Sequence, residues 1–139
     1  GSLYRVFPLI KSQEKRWFEF GGLSPHDFRK SYELRVPFSA DDVSLAKNLW
    51  KAYTANDFDT LQSLAAMPTE VFNDLDKVVQ AHIERFPRQG ELSRPERTLK
   101  EIMNSGLTDF RHIFPEFNHR EGIYGFGDTQ VRNILANLK

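Results

Sequence analysis

The chain has 139 residues, 40% of them hydrophobic and 27% charged, a balance that suits one folded globular domain rather than a disordered segment. Lys plus Arg equals Asp plus Glu at 19 each, and this zero net charge weighs against a dedicated polyanion binder, which carries a basic excess. There is no cysteine, which excludes disulfide scaffolds, thiolate zinc sites and cysteine nucleophiles.

The first twenty residues read as strands. Leu3 to Ile10 and Arg16 to Phe20 are short, aromatic and partly alternating, and the polar stretch Lys11 to Lys15 is placed to turn between them. Pro8 puts the first strand at an edge, and a lone hairpin is barely stable, so it must pack on helices or belong to a larger sheet. Gly1-Ser2 looks like a remnant of cloning, which predicts natural sequence ahead of Leu3.

Helical signals follow Gly21-Gly22. Ser24-Pro25-His26-Asp27 sets a capping hydroxyl before a first-turn proline and an acid. Ser39 opens a second helix, with Val43, Ala46, Leu49, Trp50 and Tyr53 on one stripe. Asp57 caps a short third helix carrying Phe58, Leu61 and Leu64. The fourth is expected to start at Pro68-Thr69-Glu70 and to end at Pro87. Its inner side would be Val71, Leu75, Val78, Val79, His82, Ile83 and Phe86, with His82 a hydrogen-bonded core or rim histidine.

Arg88 to Glu91 is the best boundary within the chain. Ser93-Arg94-Pro95-Glu96 then forms a capping box, Leu99, Ile102 and Met103 give the fifth helix its buried side, and Gly106 stops it. Thr108 is expected to cap a sixth helix with Phe110, Ile113, Phe114 and Phe117 inward and Pro115 kinking or shortening it. After the loop of Gly122, Gly125 and Gly127, Asp128 caps a last helix whose inner face is Val131, Ile134, Leu135 and Leu138.

The fold expected is mainly α: a multi-helix bundle with a small N-terminal β-hairpin and a C-terminal three-helix, helix-turn-helix-like module. Residues 1–21 would be the hairpin, 22–87 the bundle, and 92–139 the module packed on it. In that layout the last helix, residues 128–139, presents Gln130, Arg132, Asn133 and Asn137 outward, and Arg94 and Arg97 lie at the start of the fifth helix. These side chains can read base edges, hold phosphates or meet a protein partner. From Leu92 onward seven Lys/Arg face six Asp/Glu, and Asp128 would point an acid at DNA, so the charge weighs against nucleic acid.

His112, Glu116 and His119 share a helical spacing, but Pro115 lies within it and no further ligand is evident. Gly122 to Asp128 lacks the lysine of a phosphate-binding loop. No nucleophile sits in a recognisable elbow, and pairs such as Asp41-Asp42 lie at helix starts, where the helix dipole accounts for them. No catalytic residue, cofactor or metal is expected. With no apolar run near the ~18 residues a span needs and no signal-peptide pattern, the expected location is cytoplasmic, away from membranes.

The order of these pieces resembles a known family. A Trp-bearing helix (Ala46 to Tyr53) precedes a long helix ending in His82-Ile83-Glu84-Arg85-Phe86-Pro87. Leu92-Ser93-Arg94-Pro95-Glu96-Arg97 follows, and Gly125-Phe126-Gly127-Asp128-Thr129-Gln130 leads into the last helix. From about Gly22 to the end this resembles the C-terminal helical domain of bacterial proteins catalogued as domains of unknown function 1835 and 3658. That resemblance implies an α/β domain upstream, with the segment 1–21 as its tail, and carries over no catalytic residue. The Gly-Asp-Ser-type motif of that upstream domain has no match here. The function expected is a non-catalytic helical accessory domain for protein contact, its partner the upstream domain of its own chain or a homodimer mate. The alternatives are nucleic-acid binding through the last helix and a lid for an enzyme whose active site lies upstream.

Overall fold

The structure, a computed structural model, describes residues 1–9, 17 and 20–138. It is mainly helical, with seven α-helices and a short two-stranded antiparallel sheet among the described residues. The chain divides into two compact units. Of the described residues, 1–9 and 20–80 form the first, and Trp17 with 81–138 forms the second.

In the first unit, β1 (Tyr4–Arg5) pairs with β2 (Val36–Pro37), Tyr4 opposite Pro37 and Arg5 opposite Val36. The partner expected for β1 was the Arg16–Phe20 segment. Of that segment Trp17 and Phe20 are described, and neither is in a strand; its other residues and the turn at Lys11–Lys15 lie outside the described residues. Phe38 extends the pairing by donating its N–H to Leu3 O at 2.9 Å. The sheet is too small to hold itself. Arg35 reinforces it, its guanidinium 5.0 Å from the Tyr4 ring and 4.3 Å from the Tyr32 ring, while Nη1 donates to Tyr32 O.

α1 (Pro25–Glu33) and α2 (Ala40–Thr54) both begin with reciprocal capping boxes. Ser24 and Ser39 each accept the N–H three residues on, and Asp27 and Asp42 reach back to the cap N–H. The Ser39 bonds, backbone first, hold the Asp42 carboxyl below its usual range. Asn56, at φ +52°, turns the chain into α3 (Phe58–Ala65), where Asp57 accepts from the Thr60 N–H. The core of this unit contains Leu45, Ala52, Leu61, Val71 and Val79. Trp50 and Tyr53, expected on the inner stripe of α2, are instead exposed. The buried side runs through Leu45 and Ala52, seven positions apart and so on one face.

α4 (Leu75–Ile83) starts later than the Pro68-Thr69 signal suggests. The Thr69 hydroxyl donates to Asp42 Oδ1 and accepts the Val71 N–H, which fixes a turn instead of a cap. Asp74 then adopts φ +55°, a conformation that interrupts a helix. Val71 is nonetheless fully buried, so the apolar spacing reported burial although not helix.

The second unit holds the end of α4 and the closing three-helix module. α5 (Arg94–Asn104) starts from the Ser93/Glu96 capping box and ends before Gly106, whose φ of +97° suits glycine. α6 (Phe110–Glu121) is capped by Asp109, not Thr108, and runs on through Pro115. Pro115 removes one donor to the preceding turn without ending the helix. α7 (Asp128–Leu138) takes its first bond from Val131 N–H to Gly127 O, and the Gln130 side chain accepts the Gly127 N–H at 2.8 Å. Gly127 therefore occupies the cap position assigned to Asp128, which falls in the first turn. Leu99, Ile102, Ile113, Phe117 and Val131 form one core, with Met103, Phe110, Phe114, Ile134, Leu135 and Leu138 packed around it.

Candidate interaction surfaces

The residues singled out from the sequence fall into two groups. Gln130, Arg132, Asn133 and Asn137 are exposed on α7, opposite Val131 and its inner neighbours. Gln130 is occupied by its capping bond, and the Arg132 guanidinium lies over the Phe110 ring, 3.7 Å from the centroid. At the start of α5, Arg97 is exposed and donates from Nη1 to Leu92 O.

Arg94 is a structural hub. Its Nε donates to both Glu121 carboxylate oxygens at 3.1 and 2.9 Å, Nη2 meets the same group at 2.9 Å, and Nη1 donates to Glu84 Oε2 at 3.0 Å. Glu121 is buried and accepts a further bond from Thr98 Oγ1 at 2.7 Å. Arg94 and Thr98 are one turn apart on α5, so one helix face supplies both donors. Hydrogen bonding to Glu121 raises the Arg94 guanidinium above its already high value, against the opposing effect of burial. The arrangement rigidifies the unit and engages Arg94 internally.

An aromatic series connects this hub to the core. Tyr124 stacks on Phe126 at 5.0 Å, and Phe126 on the fully buried Phe117 at 6.3 Å; Arg94 and Arg85 lie over Tyr124 and Phe126. The Tyr124 hydroxyl donates to Ala81 O at 2.8 Å, and burial pushes its pKa up to about 12. Because the phenol stays neutral in the fold, its contribution is complete below the ordinary value near 10 and is lost as pH rises toward 12. Tyr124→Phe is therefore expected to cost about 1 kcal/mol at neutral pH, the hydrogen bond, and to flatten the alkaline decline. Melting curves at about pH 8 and about pH 11 test this; an equally steep decline in the variant would refute it. Burial, with Arg85 adding to it, also holds His82 below its usual value, and its ring meets Phe86 edge-on at 5.3 Å.

Two further arginines of this unit are ion-paired. Arg111 is held by Asp109, whose carboxyl those bonds keep below the usual range, and Arg120 Nε meets Glu116 at 2.6 Å. Glu116 is thus engaged by a cation, and among the described residues no three His, Cys, Asp or Glu side chains form a group that could hold a metal ion. Among the described residues no helix is long and apolar enough to cross a membrane.

The first unit presents a different surface. Phe28 and Tyr32 stand one turn apart on α1, with Tyr32 59% and Leu34, just beyond it, 61% exposed. On α2, Trp50 is 67% exposed and stacks on the exposed Tyr53 at 5.8 Å. Isolated exposed apolar residues are ordinary; exposed aromatics stacked on one another or flanking an arginine are less so. The α2 stripe signalled these rings from the sequence but assigned them to the interior. The Glu121 hub gave no local signal, because its partners lie 27 and 23 residues away.

Compared with family models, curated proteins and solved structures, the chain matches none of them.

Proposed function

We propose that this chain is a non-catalytic helical accessory domain that acts by protein–protein contact through the aromatic surface of its first unit. The observation that supports it is the Trp50–Tyr53 stack, two large rings held in register on α2 and left in solvent. Tyr, Trp and Arg dominate interface hot spots because they bury much area with little loss of rotamer freedom. The resemblance to the bacterial helical domain belongs to the same proposal, since an accessory role suits a domain without a chemical cluster.

The partner we take is a second copy of the chain, because zero net charge leaves little long-range repulsion between copies. Nucleic acid is less well supported: Arg94, Arg111 and Arg120 are ion-paired. Sedimentation equilibrium from about 1 μM to about 1 mM is expected to show dimers, and Trp50→Ala to weaken them about 30-fold. The fold should be barely affected, as the ring is mostly exposed. A strictly monomeric protein, or a dimer indifferent to Trp50→Ala, would overturn the proposal.

A further inference from the structure

Between α5, α6 and α7 the second unit carries an open cleft of about 270 Å³, lined by Met103, Ile113 and Leu135 with Phe110, Thr108 and Arg132 also on its wall. The apolar side chains make most of the lining, so the site favours a hydrocarbon over water. Arg132 gives it a charge. Among the described residues it has no carboxylate partner, and its guanidinium carbon lies over the Phe110 ring, 3.7 Å from the centroid. A cation–π contact with the ring does not use up the guanidinium N–H donors, which stay available to an anion. The Thr108 hydroxyl, which has no hydrogen bond within the described residues, adds a neutral donor. Of the acids nearest in sequence, Asp109 is ion-paired to Arg111 at 2.6 Å, and Asp128 lies one turn before Arg132 in the first turn of α7.

We infer that this cleft binds a small monocarboxylic acid with an apolar tail, the carboxylate on the Arg132 fork and the tail against Met103, Ile113 and Leu135. The fork matches a carboxylate bidentately, while the apolar lining gives no second anchor for a polyanion. The volume lies at the small end of ligand pockets and suits roughly six to ten non-hydrogen atoms. For a ligand of that size Kd is expected on the order of 0.1–1 mM. This site is independent of the aromatic surface on the first unit.

The test is a titration of the intact ¹⁵N-labelled chain with hexanoate, hexanamide and acetate at constant ionic strength. Hexanoate is expected to move the amide signals of residues 103–113 and 132–136, with hexanamide at least about 10-fold weaker and acetate silent. Arg132→Gln should bring hexanoate down to the level of hexanamide. Ala136→Phe, which places a ring in the cleft, should abolish both while the remaining spectrum is retained. The inference is overturned if hexanoate leaves these signals unmoved at about 10 mM, if acetate moves them equally, or if hexanamide binds as well as hexanoate. The comparison of the three ligands uses the unaltered protein, so the result stands even if a variant fails to fold.

Discussion

Phe117→Ala is expected to remove about 3–5 kcal/mol from the second unit, a large share of its stability. Phe117 is fully buried beside Leu99, Ile102, Ile113 and Val131, and it carries the stack onto Phe126. Truncation loses the transfer energy of the ring and leaves a void that three short helices cannot close without losing their remaining contacts. A unit of this size has a stability of only about 3–9 kcal/mol. Urea unfolding followed by Trp17 fluorescence in a Trp50→Phe background is the measurement, because Trp17 reports the second unit and Trp50 the first. A loss under about 1 kcal/mol would mean that the three helices do not share one core.

Arg94→Met should cost a similar amount for an electrostatic reason. The Glu121 side chain is only 7% exposed although Arg94 is 31% exposed, and without Arg94 the carboxylate would keep Thr98 as its hydrogen-bond donor. Breaking one half of a buried pair costs about 3–5 kcal/mol, whereas replacing both halves by apolar groups is close to neutral. The double variant Arg94→Met with Glu121→Leu is therefore expected to recover most of the loss in the same urea experiment. If the double variant is no more stable than Arg94→Met alone, the pair is not what holds α5 to the end of α6.

Much of this architecture was legible because it is local. Ser24, Ser39 and Ser93 precede an acid by three residues and cap as they read, and the spacing of Leu99, Ile102 and Met103 identified the inner face of α5. What was not legible depends on partners distant in sequence. Thr69 looks like a helix start until Asp42 takes its hydroxyl, and Asp74 then turns the chain before Leu75. Trp50 fits an apolar stripe, but the interior is reached by Leu45 and Ala52, and size alone could not distinguish them. Val36–Pro37 is too short and too plain to announce a strand; it is one because Leu3 to Arg5 lies beside it. Among the surface candidates, periodicity placed Arg132 and Asn133 outward but gave no sign that Arg94 would be engaged by Glu121.

The indole of Trp17 lies against Gly122, close enough that a β-carbon there would sit 3.3 Å from its Cδ1. This contact joins positions 122 − 17 = 105 residues apart, whereas the aromatic partners of the same unit, Phe117 with Phe126 and Tyr124 with Phe126, are near neighbours in the chain. Closing so long a loop costs conformational entropy that the helices do not incur among themselves. During synthesis Trp17 leaves the ribosome long before the glycine that receives it exists. On refolding, helical circular dichroism should therefore return before Trp17 fluorescence, and the docking of the indole is the late step that completes the second unit.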